Sequence, residues 1–301
     1  MPIAPKLART KQPDPASFEA LQHMPLEYDD IGPWSEMKLE IVKAYAEEYS
    51  KILTAKKREN KRFHHLYIDA FAGPGVHLAK ATGEFVPGSP LNALNIQPPF
   101  DEIHLIDADQ DRTAQLKQLA GDRKGVHVYS RDCHEILLSE VFPRARYEDY
   151  GRALCLLDPY SLDLSWDLVK AAGQSRTIEI FLNFMIMDAN RNPFRREPTP
   201  DQQARMTKFW GDESWRQAIQ TETDQRNLFS GELDTEKSSN QAIAEAYRQR
   251  LIKVAGFQYV AQPVAMKNKI GKTVYYLYFA SPNKTGHKIA THILDKYRNQ
   301  P

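Results

Sequence analysis

Cysteine is nearly absent: Cys133 and Cys155 are the only two in 301 residues. That excludes a disulfide framework and a cysteine-built zinc site, and leaves two buried free thiols as the expectation. No run approaches the roughly 18 apolar residues that a membrane span requires. The amino-terminal stretch has no apolar signal-peptide core, so a cytoplasmic protein is expected. Excess charge of one sign is missing too. With 40 basic and 39 acidic residues the net charge is +1, so any nucleic-acid surface has to be a local patch. A chain with 26% charged and 42% hydrophobic residues fits a soluble globular protein and excludes a disordered or fibrous one. Its length suits one large α/β domain with insertions.

The last absence is a single glycine. Tyr67-Ile68-Asp69-Ala70-Phe71-Ala72-Gly73-Pro74-Gly75 is an apolar run that ends in an acid and a glycine turn. A parallel strand stopping at such a turn leaves backbone N–H groups free for a ligand at the sheet edge. The dinucleotide fingerprint G-x-G-x-x-G needs a third glycine, and His77 and Leu78 stand in its place, so the nicotinamide oxidoreductase reading fails at its last position. An acid four residues before the first glycine instead resembles the first motif of S-adenosylmethionine-dependent methyltransferases, whose glycine turn passes under the methionine part of the cofactor. That resemblance makes Asp69, Phe71, Gly73 and Gly75 candidate cofactor residues. An ordinary strand-to-turn junction is the alternative.

Residues 1–33 carry Pro2, Pro5, Pro13, Pro15, Pro25 and Pro33, which reads as an arm rather than a packed element. Met37, Ile41, Ala44, Tyr45, Tyr49, Ile52 and Leu53 then have helical spacing over 35–57, with Ser35 as the cap. Lys56, Lys57, Arg58, Lys61 and Arg62 read as a solvated link. His64 and His65 open the first strand with no Asp, Glu or Cys following at ligand spacing, so no metal site is expected there. Residues 76–88 read as a long loop able to act as a flap, ending at Ser89-Pro90, a helix start with Ser89 as N-cap.

Acids recur at strand ends. The strand 102–107 ends in Asp107, where a carboxylate can accept hydrogen bonds from both hydroxyls of a ribose. After a third strand at 126–129, Asp132 either meets the adenine amino group, as in methyltransferases, or caps the helix starting at Cys133. The most apolar strand, 153–157, is expected at the centre of the sheet and runs into Asp158-Pro159-Tyr160. The triplet resembles the Asp-Pro-Pro-Tyr motif of amino-group methyltransferases with one proline missing. There the acid and the proline carbonyl orient the target NH2 while the aromatic ring stacks on its ring. A plain Asp-Pro turn is the alternative. Asn183, in a fifth strand, either lines the site or is a satisfied core amide. Arg191, Arg195 and Arg196 are candidates for substrate phosphate or carboxylate contact.

Residues 198–237 read as a helical insertion whose Phe209, Trp210 and Trp215 serve a lid or simply pack. A helix over 238–254, two β-rich runs over 257–266 and 273–280, and a helix over 286–297 close the chain. A terminal hairpin fits methyltransferase topology, whose last strand inserts antiparallel.

Taken together, Trp34, Lys38, Tyr45, the turn 67–75, Gly88-Ser89-Pro90-Leu91, Leu157-Asp158-Pro159-Tyr160-Ser161-Leu162, Trp166, Phe181-Leu182-Asn183, Asp188, Asn190, Arg191 and Trp215 resemble the three-Cys-motif partner family of class I methyltransferases. The resemblance implies a doubly wound, Rossmann-like α/β sheet over 34–301 with a terminal antiparallel hairpin, and S-adenosylmethionine as cofactor. It also implies a protein partner, a radical enzyme with three cysteines. Ser161 replaces the family's usual glycine and is expected to narrow the pocket. The expected function is methylation of a nitrogen acceptor, a nucleobase amino group in RNA or DNA, with Asp158, Pro159 and Tyr160 catalytic and Asn183, Arg191 and Arg195 on the substrate. The alternative is a non-catalytic cofactor-binding subunit of the radical enzyme.

Overall fold

The computed structural model describes residues 27–226 and 233–298. The expected arm, as far as residue 26, lies outside the described residues. Its end does not behave as an arm: Asp29–Ile31 is a strand (β1). Helix α1, Pro33–Glu59, follows directly. Gly32 is its N-cap and Pro33 opens its first turn, so Ser35 lies inside the helix rather than capping it. Lys56, Lys57 and Arg58 form its last turn instead of a loop, where positive charge complements the helix dipole.

Strand β2 is His64–Asp69. The expected loop at 76–88 is a β-hairpin, β3 (Val76–Ala79) and β4 (Phe85–Pro87). β1 joins β3 in parallel register to make a three-stranded cover over the glycine turn. Helix α2 is Ser89–Leu94, capped by Gly88, so Ser89 is its first residue and not its cap. Next come β5 (Glu102–Asp107), α3 (Gln110–Ala120) and β6 (Val126–Ser130). α4 (Cys133–Ile136) continues through irregular turns to Ala145, followed by β7 (Gly151–Leu157), α5 (Trp166–Ser175), β8 (Ile178–Phe184) and α6 (Ile186–Arg191).

The insertion is only half helical. α7 (Pro200–Trp210) and α8 (Trp215–Ala218) lead into an antiparallel pair, β9 (Gln220–Arg226) and β10 (Leu233–Lys237). The chain finishes with α9 (Asn240–Lys253), β11 (Tyr259–Val260), β12 (Val264–Lys267), β13 (Thr273–Ser281) and α10 (Lys284–Arg298).

The main sheet runs β11-β13-β8-β7-β2-β5-β6, with β12 also paired to β13. From β8 to β6 every neighbour is parallel, while β13 enters antiparallel beside β8. The order reverses at β2, between β5 and β7, which places a ligand crevice at the carboxyl ends of those strands. A doubly wound parallel sheet with one reversed strand inserted near its end is the class I methyltransferase fold.

Both sheet faces are covered, so β2, β7 and β8 are buried almost throughout. On one face Phe184, Phe209, Trp210, Trp215, Tyr247 and Tyr278 pack together. The insertion's aromatics therefore serve the core, and truncating Trp210 to alanine is expected to destabilise the fold by about 3–5 kcal/mol, checked by denaturant unfolding. On the other face Tyr45 of α1 meets Phe181 and Phe279, with ring centroids 5.5 and 4.6 Å away. His65 is not a ligand candidate: its ring nitrogens bond Asp101 and Ser50 at 2.9 Å each, tying β2 to α1. Among the described residues no helix is long and apolar enough to cross a membrane.

Glu179 of β8 is buried and accepts hydrogen bonds from the Tyr45 and Ser281 hydroxyls. Burial nevertheless pushes its carboxyl up to about 7. A carboxyl raised above its unfolded value stabilises the fold while protonated, and that contribution is lost as pH rises through 7. Glu179→Gln is therefore expected to gain stability relative to wild type between pH 5 and pH 8 in denaturant titrations. A pH-independent offset between the two proteins would contradict this.

Candidate active site

The carboxyl ends of β2, β5 and β7 bring three acids, Asp69, Asp107 and Asp158, to one edge. The turn after β2 places Gly73 and Gly75 at φ +65° and +83°, a region that favours glycine. Gly75 is required by packing as well, since a Cβ there would lie 2.9 Å from Leu119 Cδ1 of α3. The Gly73 N–H donates to Asp107 Oδ2 at 2.8 Å, and the Asp109 N–H donates to Oδ1 at 2.9 Å. Asp107 thus holds the glycine turn while each oxygen keeps a lone pair for a ligand. Gln115 of α3 adds a clamp that the sequence did not disclose, donating to the Pro74 carbonyl at 2.6 Å and to the Glu27 carbonyl at 2.9 Å.

Two cavities open at this edge. One, of about 340 Å³, is lined by Phe71, Asp107, Asp132 and Tyr160 among others. The second, of about 430 Å³, is lined by Lys38, Phe71, Gly73, His77, Asp158, Pro159, Tyr160 and Asn183 among others. Phe71 and Tyr160 belong to both walls, so the cavities are neighbours. Asp132 caps α4 by accepting the His134 N–H at 2.8 Å, and it also lines the smaller cavity.

Asp158 is the most heavily engaged polar group of the larger cavity. Asn183 Nδ2 donates to its Oδ1 and Lys38 Nζ to its Oδ2. Asn183 is therefore a cavity residue and not a satisfied core amide, since its own Oδ1 is buried without a partner. Lys38 reaches in from α1 with 10% of its side chain exposed. Tyr160 is 61% exposed, and its hydroxyl is bonded by Arg112, which also pairs with Asp29 of β1 at 2.9 Å. Ser161 takes φ +59°, a region that favours glycine, and its hydroxyl is tethered to Asp188.

Asp69 is fully buried and neither carboxylate oxygen has a hydrogen-bond partner. Burial pushes it up to about 7 against the opposing influence of the Ser89 hydroxyl and of Lys38. His77, whose presence ended the dinucleotide reading, is a cavity wall. Its Nδ1 is buried without a partner, and burial lowers the imidazole to about 4, so it is neutral at pH 7. Arg191 and Arg195 are exposed and line neither cavity.

The walls of the smaller cavity suit a diol near Asp107 and a flat ring beside Phe71 and Asp132, whereas Asp69, fully buried, lines neither cavity. The free lone pairs of Asp107, whose carboxylate lines the smaller cavity, are the observation that tests this.

No family model matches the chain, and no curated protein sequence does either. Solved structures do match. A Legionella pneumophila protein of the DUF519 family aligns over 87% of this chain and 92% of its own at 13% identity, with a TM-score of 0.48. A Thermobifida fusca protein provisionally named a methyltransferase aligns over 88% and 86% at 13% identity, TM-score 0.38. The DszA carbon methyltransferase aligns over 77% of this chain but 51% of its own, at 14% identity and TM-score 0.37. With every one of these scores below 0.5, the class I methyltransferase fold assignment stands on the order and direction of the strands.

Proposed function

We propose that the protein is an S-adenosylmethionine-dependent methyltransferase acting on a nitrogen acceptor, a nucleobase amino group. The observation that carries the reading is Asp158, gripped by Lys38 and Asn183 at the end of the central strand, in a cavity that adjoins the one beside Asp107. The cofactor supplies an electrophilic methyl group when bound. Asp107 would hold its ribose hydroxyls and Asp132 its adenine, with Gly73 and Gly75 shaping the turn beneath and Asp69 buried behind it.

The remaining work is positioning. The free lone pairs of Asp158 and the Pro159 carbonyl accept hydrogen bonds from the amino group and turn its nitrogen toward the methyl. Lys38 balances the charge of Asp158, so the carboxylate orients the acceptor rather than serving as a strong base. Tyr160, exposed at the mouth, offers its ring for stacking. One observation favours a second reading, a cofactor-binding subunit without catalysis. Both polar groups that would meet the acceptor are already engaged, Asp158 by Lys38 and Tyr160 by Arg112.

Parallel calorimetric titrations with S-adenosylmethionine, S-adenosylhomocysteine and NAD test the cofactor. Binding of the two adenosyl ligands and not NAD is expected, and no adenosyl binding overturns the proposal. Transfer of a labelled methyl to RNA or DNA then separates enzyme from subunit. Acceptor binding that weakens steeply with salt marks a nucleic acid rather than a small amine.

A further inference from the structure

At the other end of β5 from Asp107, the sheet edge carries a cluster that methyl transfer does not use. Glu102 is the first residue of β5, and His104 follows on the same strand face. His127 of β6 sits beside His104 in parallel register, and their rings stack with centroids 4.9 Å apart and 14° between planes. His104 Nε2 lies 3.1 Å from Glu102 Oε2, and His127 Nε2 lies 4.0 Å from the same oxygen. One donor atom from each of the three residues falls within 4.8 Å of the other two.

We propose that Glu102, His104 and His127 form a binding site for a divalent transition cation of the zinc type, with a fourth position open to water. The donor set argues for this class of ion. Two imidazoles and one carboxylate suit zinc and its neighbours, whereas calcium and magnesium take oxygen shells. Spacing agrees as well. Ligands about 2.0–2.1 Å from a tetrahedral zinc stand about 3.3 Å from one another. The Glu102–His104 pair is already there, and His127, 39% exposed in its side chain, is free to close the remaining gap.

The surroundings orient the donors. The Tyr129 hydroxyl lies 3.0 Å from His104 Nδ1, a partner that fixes the ring and leaves Nε2 to the metal. Arg144 Nη1 lies 3.1 Å from Glu102 Oε2 and is the competitor a cation has to displace. Its side chain is 46% exposed, so it can withdraw to solvent. Asp107 is five residues further along β5, roughly 17 Å away at about 3.3 Å per residue. The ion therefore takes no part in the transfer step. It joins β5 to β6, which ends the main sheet and whose residues are all only half-buried.

The test uses the full chain, stripped with a chelator and titrated with zinc chloride by calorimetry, and separately with cobalt(II) followed by visible absorption. Wild type is expected to bind one equivalent with micromolar or tighter affinity and to melt at higher temperature with zinc. Cobalt is expected to give the intense bands of a four-coordinate nitrogen and oxygen site without thiolate charge transfer. His127→Ala, at a half-buried position on the edge strand, is expected to fold normally, to bind zinc at least about 100-fold more weakly and to lose the zinc-dependent rise in melting temperature. Absence of stoichiometric binding in wild type overturns the proposal. So does unchanged affinity in His127→Ala.

Discussion

Asp158→Ala is expected to lower kcat for methyl transfer by about a thousandfold or more, the scale of lost positioning and electrostatic complementarity, while leaving affinity for S-adenosylhomocysteine within about twofold. The carboxylate lines the larger cavity and bonds Lys38 and Asn183, not the glycine turn. The substitution also strands the Lys38 ammonium, buried with 10% of its side chain exposed, and an uncompensated buried charge destabilises a fold. Asp158→Asn and the Lys38→Met, Asp158→Ala pair separate that effect from catalysis. If the double variant recovers stability but not turnover, the loss belongs to the reaction. If Asp158→Ala loses cofactor affinity as severely as Asp107→Ala, the division of roles fails.

Asp107→Ala should do the reverse, weakening S-adenosylhomocysteine binding by about a hundredfold, or roughly 2.7 kcal/mol. Two backbone N–H groups, from Gly73 and Asp109, lose their acceptor, and a ribose would lose its own. Calorimetry on the variant reads the effect directly. Near-wild-type affinity would place the ribose elsewhere.

The frame of this arrangement was legible because it rests on local signals. Acids at the ends of apolar runs marked Asp69, Asp107 and Asp158, and the final β-rich run marked the reversed strand. What escaped notice depends on partners distant in the chain. Lys38 meets Asp158 across 120 residues of sequence, and no spacing rule announces such a pair. His104 and His127 come together only through strand register. Ser35 and Ser89 were misplaced by a residue or more because a proline beside a serine does not say which of them lies inside the helix, and glycines hold both caps. Arg191 and Arg195 follow a strand that leads to the site, but the chain turns through α6 and leaves them in solvent.

Ser161 shows what the reactive loop asks of the rest of the fold. A residue with a side chain at φ +59° carries a local penalty of about 1–2 kcal/mol, offset by its tether to Asp188. Glycine in its place would relieve the backbone and cut the tether in one step, so stability would change little while Asp158 and Tyr160 lose a restraint on the loop between them and Asp188.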